Sequence, residues 1–345
     1  MTAIYFIFVL LVTIMVHEFG HFLFAKKAGI YVYEFSLGMG PRLFHFNRKN
    51  DETTYSIRLL PIGGYVSMAG EDIEADREIP FDKTMQAKTW WQRFFTIIAG
   101  VLFNFLLALI ILFFIGLQNG SPTMVPKISY IEENSPSESA KLQKGDIIQQ
   151  IGSTKLSTVD RFLLEFQVRL GEPITLKVKS KDQVERTVTI TPIQKIKDGK
   201  TSYSYGFALD NSAEHGVWNA IKYAFVKTGS LMEQMCLIVG YLFTGKLSLN
   251  SLSGPVGIFN VVGESAKAGF TSIMYLIAYL CINVGFINII PFPAFDGGRL
   301  LFLIIEKIKG KPVEPKIENT IHAVGFILLM ILMVLITFND IIRLF

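Results

Sequence analysis

Two histidines four residues apart, with a glutamate between them, lie in the sequence HEFGH at residues 17–21. At about 100° per residue, a helix places His21 roughly 40° from His17 and one turn further along, with Glu18 about 100° round from His17, so all three share one face. Two imidazoles so placed can chelate one Zn²⁺, and a glutamate beside them can take a proton from a water that the metal activates. The spacing therefore predicts a zinc site with His17 and His21 as ligands and Glu18 as general base.

These residues lie inside the first of several apolar runs, in a chain of 345 residues that is 50% hydrophobic and only 18% charged. That composition is too apolar for an ordinary soluble domain and indicates a membrane protein. An ionisable side chain at membrane depth costs about 2.5 to 3.5 kcal/mol. A bound cation would offset this cost for His17, Glu18 and His21, and burial in the polar interior of a helix bundle is the structural alternative.

A catalytic zinc ion usually has three protein ligands, so a third must come from elsewhere in the chain. Asp296 is a candidate because it ends the apolar run INVGFINIIPFPAFDGGRLLF, residues 282–302, where an unpartnered carboxylate is costly. The two prolines before it are predicted to break the helix, and the two glycines after it to allow an irregular turn. Asn283 and Asn288 add amide side chains to this run, and His322, at the start of the last apolar run, is an alternative ligand.

Four apolar segments are long enough to span a bilayer, which takes roughly 20 residues. They comprise residues 1–25, 94–117, 270 to about 295, and 321 to about 338. Lys26 and Lys27 follow the first segment, which predicts a cytoplasmic end there and, by alternation, an exported segment from about residue 118 to 228. The HEFGH sequence and Asp296 then both lie near the cytoplasmic boundary. The interrupted apolar stretch 231–245 is predicted to be an interfacial or re-entrant helix.

The exported segment differs in pattern from the membrane segments. ITLKVKS and VERTVTITPI alternate apolar and polar residues across a short turn, which predicts a hairpin, and TVDRFLLEFQVRL is typical of an amphipathic helix. The sequence ENSPSESAKLQKGDIIQQIGSTKL resembles a bacterial PDZ domain, extending over about 124–194. The resemblance implies a peptide or protein partner bound as an extra strand. A generic α+β spacer is the alternative.

The predicted fold class is a polytopic α-helical membrane protein with about four transmembrane helices and an inserted small α+β PDZ-like domain. Residues 1–117 would hold the first two transmembrane helices and a cytoplasmic loop, 118–228 the exported segment, and 229–345 the interfacial helix and the last two transmembrane helices. The net charge of +4 is not clustered, so nucleic acid is not a predicted partner. Cys236 and Cys281 lie in apolar stretches and are expected to be reduced packing residues.

The conjunction of three features closely resembles the site-2 protease family, in particular its bacterial intramembrane zinc metalloproteases with a PDZ domain. The features are HEFGH in the first membrane helix, the PDZ-like insert after the second, and NVGFINIIPFPAFDGGR in the third. The resemblance implies that His17, His21 and Asp296 bind Zn²⁺ and that Glu18 activates the water. It also implies a multi-pass protein of the bacterial cytoplasmic (inner) membrane, with the PDZ-like domain on the exported side.

The same resemblance implies contacts with the substrate. Asn283 and Asn288 would hold the substrate backbone beside the metal. FSLGMGP at residues 35–41 looks like a membrane-dipping β-loop that can pair with an unwound substrate strand through the region of Gly38 and Gly40. The implied substrates are single membrane-spanning segments whose exported part has already been trimmed, such as an anti-sigma factor or a signal-peptide remnant.

Two other functions compete with this prediction. A non-enzymatic membrane scaffold would use the PDZ-like domain to recruit partners, but it gives no reason for a glutamate beside two ligand-spaced histidines. A zinc transporter would favour several histidines or carboxylates along a path, and residues 94–117 contain none. The sequence therefore predicts an intramembrane zinc metalloendopeptidase, with the lipid bilayer and membrane-spanning substrates as its partners.

Overall fold

The computed structural model describes residues 1–70, 78–197, 200–248 and 253–342. The chain divides into two compact units, one formed by Met1–Ile111 with Leu249–Phe345 and the other by Leu112–Ser248. The helices of the described residues are α1 (Thr2–Ala28), α2 (Trp90–Asn119), α3 (Pro136–Ser139), α4 (Val159–Val168), α5 (Val217–Phe243), α6 (Pro255–Ala268), α7 (Phe270–Ile289), α8 (Asp296–Lys309) and α9 (Pro315–Ile342). The strands are β1 (Val32–Asn47), β2 (Thr54–Met68), β3 (Ser121–Pro122), β4 (Ile128–Ile131), β5 (Ile147–Ile151), β6 (Thr154–Lys155), β7 (Ile174–Lys179), β8 (Glu185–Ile190), β9 (Ile193–Lys197), β10 (Lys200–Ser204), β11 (Phe207–Leu209) and β12 (Ala213–Glu214).

Among the described residues, four helices are long and apolar enough to cross a membrane. They are Thr2–Ala28, Trp90–Asn119, Phe270–Ile289 and Lys316–Ile342. They agree in number and order with the predicted spans, and with the β-rich insertion they fit the predicted membrane protein with an inserted domain. The third helix ends at Ile289 rather than near residue 295, because Pro291 disfavours helical backbone at Ile290, which adopts φ −62° and ψ 134°.

Two segments form longer helices than the sequence predicted. Helix α8, Asp296–Lys309, lies between the third and fourth predicted spans, where the sequence predicted no helix. Helix α5 runs from Val217 to Phe243 and so contains most of the stretch 231–245. The predicted domain boundary at residue 228 therefore falls inside a helix. The continuity has a physical cause, because residues 217–243 contain no proline and the helix has polar partners along its side.

The first unit contains the β1–β2 hairpin, in which both strands bend back on themselves. Residues 34–37 of β1 pair on one side with residues 54–57 of β2 and on the other with residues 64–67. The bend in β1 occurs at Gly38, where φ is +88° and a Cβ atom would lie 2.6 Å from the Leu60 carbonyl oxygen. Glycine is required there by both the backbone angle and the close approach.

Glu34 lies inside this hairpin and is only 7% exposed. Arg58 donates two hydrogen bonds to its carboxylate at 2.8 and 2.9 Å from Nη2, and Arg42 and Tyr65 donate at 3.0 and 2.7 Å. Ser56 also donates a short hydrogen bond to it. Charged donors and hydroxyl groups thus satisfy both carboxylate oxygens, as a buried ion requires.

Helix α1 packs against the hairpin and against α6 and α7. The sequence LSGPVGIFN at residues 252–260, whose first residue lies outside the described part of the chain, supplies the start of α6. Gly254 precedes this helix, Pro255 occupies its first turn, and Asp340 of α9 accepts a 2.9 Å hydrogen bond from the Gly257 N–H. The segment therefore begins a helix whose unpaired N–H groups are partly satisfied by a carboxylate.

The second unit has a four-stranded antiparallel sheet in the order β6-β5-β7-β8. Helix α4 packs Phe162 into the apolar core that this sheet forms. The predicted hairpin and amphipathic helix are both present, and Thr158 caps α4 by accepting from the Arg161 N–H. Strand β11 pairs with β4, so the folded region extends beyond the predicted end near residue 194. The PDZ assignment itself stays a prediction.

Helix α5 is joined to α4 by polar side chains within this second unit. Lys227 donates to Asp160 at 2.5 Å, and Ser230 donates to the same carboxylate at 2.8 Å. Arg161 pairs with Glu233 one turn further along. These contacts explain why α5 carries polar residues along a helix that is otherwise rich in apolar ones.

Candidate metal centre

Helix α1 places His17 and His21 on one buried face, where they are 7% and 8% exposed. Their spacing of four residues stacks the imidazoles one turn apart, with ring centroids 4.8 Å apart. The neighbouring helix α2 comes very close at this level. A Cβ atom on Gly20 would lie 2.5 Å from the Ala99 carbonyl oxygen, so glycine permits this contact.

Asp296 is the first residue of α8, directly after the proline-containing turn that follows α7. The two glycines after it do not form the irregular turn that the sequence predicted, because both lie in the first turn of a regular helix. They are required by packing instead. A Cβ on Gly297 would lie 2.2 Å from the Ile290 carbonyl oxygen, and one on Gly298 would lie 2.5 Å from that of Phe292. The glycines let α8 start against the turn and so fix the position of Asp296.

The three polar groups converge on one point, although Asp296 is nearly 280 residues from the histidines in the sequence. His17 Nε2 and His21 Nε2 lie 3.1 and 3.2 Å from Asp296 Oδ2, and 3.2 Å from each other. Zinc bonds of about 2.0 to 2.2 Å in a tetrahedron imply ligand atoms roughly 3.3 Å apart. The spacing of the three atoms therefore fits one tetrahedral zinc ion.

The hydrogen bonding of His21 also favours a cation at this point. His21 Nδ1 lies 2.8 Å from the Thr96 carbonyl oxygen, which can only accept, so Nδ1 carries a proton. In the neutral ring the lone pair of Nε2 then faces the carboxylate oxygen, which is also an acceptor. Asp296 Oδ2 is buried and has no hydrogen-bond partner in the described residues. A metal ion can bind the lone pairs of His21 Nε2 and Asp296 Oδ2 at the same time, and so compensates both buried acceptors.

A cavity of about 580 Å³ opens beside these groups, and Glu18 lines it together with His17, His21 and Asp296. Asn288 also lines the cavity, whereas Asn283 is not among its described lining residues. The two asparagines are five residues apart on α7, which corresponds to roughly 140° around a helix, so they face different directions.

The hairpin contributes to the same cavity in a way that the sequence did not reveal. Met39 lines the cavity, but its neighbours Gly38 and Gly40 are not among the described lining residues. The continuous wall is formed instead by residues 63–68 of β2. Of these, 64–67 pair with β1 on one side, and the described strands include no partner on the other. The alternation of side-chain types in GGYVSM, residues 63–68, is a sequence signal for a strand. Only the fold places this strand on the cavity that Glu18 lines.

His322, the alternative third ligand, has a different contact. Its Nδ1 accepts a 3.2 Å hydrogen bond from the Ala294 N–H, in the turn that leads to Asp296. Ala294 has φ +86°, which is unusual for a residue other than glycine. Gly325, three residues after His322 on α9, lies against the same turn, since a Cβ there would be 2.3 Å from Pro293 Cβ. Helix α9 therefore supports the turn rather than supplying a ligand to the cluster of three.

Comparison with known proteins agrees with this architecture. The model of peptidase family M50 matches residues 5–332. Zinc metalloprotease RasP of Geobacillus kaustophilus is 34% identical over an alignment 419 residues long, covering 100% of this chain and 98% of that protein. Regulator of sigma-W protease RasP of Bacillus subtilis is 31% identical over 421 residues, covering 100% and 99%. Among solved structures, the PDZ domain of an SdrC-like protein from Listeria innocua matches 26% of this chain at 17% identity, but the TM-score of 0.22 supports no assignment.

The chain belongs to peptidase family M50, the site-2 proteases. The predicted family and the predicted enzyme class, a zinc metalloprotease, are thereby confirmed. The scaffold and transporter alternatives are not favoured. The roles of the individual residues and the substrate contacts stay predictions.

Proposed function

We propose that this chain is an intramembrane zinc metalloprotease in which His17, His21 and Asp296 hold the metal and Glu18 is the general base. The observation that carries the proposal is the convergence of two Nε2 atoms and one carboxylate oxygen within 3.2 Å of one another. The three groups lie on the wall of a cavity that Glu18 also lines. Catalytic zinc sites commonly combine three such ligands with an open position for water.

When bound, zinc would lower the pKa of a water molecule and polarise the peptide carbonyl. Glu18 takes the proton from the water as its oxygen adds to the carbonyl carbon. The C–N bond then breaks, and Glu18 returns the proton to the leaving amine. Because Glu18 follows His17 directly on α1, the base is fixed beside the ligand set by the same helix.

We infer that the substrate is a membrane-spanning segment that unwinds locally before cleavage. Carbonyl groups hydrogen-bonded within a helix are not available for attack, and groups released in a membrane need new partners. The edge formed by residues 64–67 offers backbone donors and acceptors on the cavity wall, and an extended segment can add to such an edge. Asn288, on another part of the wall, would supply a side-chain amide.

The natural substrates would be single-span membrane proteins that have already been trimmed, such as an anti-sigma factor or a signal-peptide remnant. The name of the Bacillus subtilis relative, a regulator of sigma-W protease, supports the first of these. Lys26 and Lys27 in the last turn of α1 favour a cytoplasmic end there, which would put the active site near the cytoplasmic side of a bacterial inner membrane.

The unit formed by residues 112–248 would then be exported, with a PDZ-like domain that binds an extended peptide. Strand β11 pairs with β4 on one edge, and Phe207 of β11 contacts Phe162 and Phe166 of α4. A peptide added beside a short strand next to a helix is the PDZ mode of recognition.

The central test measures zinc content and cleavage of a single-span reporter by the wild type and by Glu18→Gln. We expect unchanged zinc and lost cleavage, because the variant keeps the ligands and lacks the base. Retained cleavage would exclude Glu18 as the base.

The strand edge is tested by disulfide crosslinking of a cysteine-containing reporter in a Glu18→Gln, Cys236→Ser background. Ser67→Cys on the open edge should crosslink. Ile57→Cys is the matched control, since Ile57 is 46% exposed but lies in a strand segment paired on both sides. Equal crosslinking at the two positions would contradict edge pairing.

A further inference from the structure

One face of α2 contacts both histidines of the proposed zinc site. Thr96, Gly100 and Asn104 are spaced by four residues and so lie along a single stripe of the helix. A Cβ atom on Gly100 would lie 2.4 Å from His21 Nε2 and 2.7 Å from His17 Cε1. Glycine in the middle of the stripe thus lets the helix approach both imidazoles, with a polar group one turn to either side.

The Thr96 end of the stripe fixes the proton position of His21. Its carbonyl oxygen lies 2.8 Å from His21 Nδ1, so the proton is on Nδ1 and the Nε2 lone pair is directed at the cluster of ligand atoms. A backbone carbonyl that holds the outer nitrogen of a ligand histidine is a common arrangement in metal sites.

His17 needs an equivalent acceptor, and Asn104 is the group beside it. Nδ2 of the Asn104 amide lies 3.4 Å from His17 Nδ1. Asn104 is completely buried within α2, and its Oδ1 has no hydrogen-bond partner in the part of the chain that the structure describes. A buried amide oxygen without a partner costs about 1 to 3 kcal/mol.

The two ends of an amide have nearly the same shape, so chemistry decides their assignment. If Nδ2 donated to His17 Nδ1, the proton of the imidazole would lie on Nε2, which could then not bind a metal. With the amide turned over, Oδ1 accepts from Nδ1–H and the Nε2 lone pair is free to bind the metal. This one rotation places Oδ1 opposite the imidazole N–H and puts His17 in the tautomer that a ligand needs.

We propose that Asn104 is a positioning residue whose amide oxygen holds His17 in the Nδ1–H tautomer and orients it toward zinc. The inference rests on the proposed function, since it takes His17 Nε2 as a zinc ligand. Thr96 and Asn104 then act as a pair of acceptors, one for each histidine, on a single helix that supplies no zinc ligand itself.

Two nearly isosteric substitutions separate the roles of the amide. Asn104→Leu removes the acceptor, and Asn104→Asp keeps an acceptor oxygen but removes the donor. Zinc affinity is measured by competition with a chelator on folded protein, and the ligand field by the absorption spectrum of the Co²⁺ form. We expect Asn104→Leu to weaken zinc binding by about 10- to 100-fold and to alter the Co²⁺ spectrum. Asn104→Asp should retain wild-type affinity within a few fold, or bind more tightly.

Leu106→Ala is the control on the same helix, since Leu106 is 51% exposed, and it should leave zinc affinity unchanged. Unchanged affinity in Asn104→Leu, or an equal loss in Asn104→Asp, overturns the inference. If Asn104→Leu does not fold, a loss of about 10-fold or more in Asn104→Asp overturns the inference. If Asn104→Asp does not fold, unchanged affinity in Asn104→Leu overturns it. His17→Ala measured in parallel separates the two proposals: if it binds zinc like the wild type, the ligand assignment itself is wrong, whereas lost zinc there with retained zinc in Asn104→Leu refutes only the role of Asn104.

Discussion

Two carboxylates in the same compact unit, the buried Glu34 and the half-buried Asp296, have opposite surroundings. Glu34 in the β1–β2 hairpin accepts hydrogen bonds from two arginines, a serine and a tyrosine. Asp296 at the start of α8 meets two imidazole nitrogens, and its Oδ2 has no hydrogen-bond partner in the described residues. A carboxylate whose oxygens accept hydrogen bonds from several protein donors stabilises the fold. A carboxylate oxygen that faces the lone pairs of two imidazole nitrogens needs a cation between them. The difference separates a structural charge from a metal ligand.

The electrostatics of Glu34 agree with its structural role. Burial opposes ionisation of its carboxyl group, but hydrogen bonds from Arg58, Ser56 and Tyr65 outweigh burial and lower its pKa to about 2. The same contact raises the pKa of Tyr65 to about 12, through burial and its hydrogen bond to Glu34. The hairpin charge is therefore held ionised by the protein alone.

The largest expected effect comes from removing the ligand charge. Asp296→Asn should reduce zinc content to background and abolish cleavage, because a neutral amide is a poor zinc ligand. The metal-free variant should be at least as stable as the metal-free wild type, since no buried carboxylate remains to be desolvated. Metal analysis and thermal unfolding in detergent measure the two effects.

His322→Ala is the control for the identity of the third ligand. It should keep stoichiometric zinc, because His322 contacts the Ala294 N–H and not the ligand cluster. Retained zinc in Asp296→Asn together with lost zinc in His322→Ala would reverse the assignment.

The opposite result is expected for the hairpin carboxylate. Glu34→Gln should lower the free energy of unfolding by about 3 kcal/mol, because it leaves Arg58 and Arg42 without their counter-charge. Zinc content of the folded protein should not change. Thermal unfolding and metal analysis test both statements, and a loss of zinc would contradict the division between the two sites.

The pH dependence of stability sharpens the comparison further. The Glu34 pKa is lowered from 4.5 to about 2 in the folded protein, so its stabilisation is fully present above pH 4.5 and is lost as the pH falls from there toward 2. Over this window the wild type should lose up to about 3 kcal/mol more than Glu34→Gln, at about 1.4 kcal/mol per pKa unit. Unfolding of both proteins between pH 7 and about pH 2 measures the difference. Parallel curves would show that Glu34 is not held ionised by its partners.

The smallest effect is expected at the turn that carries Asp296. His322→Leu removes the acceptor of the Ala294 N–H and should cost about 1 to 3 kcal/mol. Zinc should remain bound but exchange faster, because Asp296 is held less firmly. His322→Gln, which can still accept, is the matched variant, and zinc release to a chelator is the measurement. Equal release rates in Leu and Gln variants would argue against the hydrogen bond.

Much of the fold could be predicted because its signals are local. Apolar length identified the four spans, and alternation identified the hairpin over residues 174–190. The predicted irregular turn after Asp296 was wrong because glycines serve close packing as well as irregular backbone, and the sequence does not show which. The wall formed by residues 63–68 was missed because an open strand edge depends on which strands pair.

The sequence by itself determined the pairing of His17 with His21, because one helical turn brings residues four apart together whatever the rest of the chain does. It also determined that these charges lie in an apolar segment and need compensation. Only the tertiary structure decided that Asp296 meets them within 3.2 Å, that His322 supports a turn, and that Asn104 lies beside His17. Helical periodicity is a local property of the backbone, whereas contacts between distant segments depend on how closely helices pack, and here glycines at positions 20, 100, 297 and 298 allow that packing.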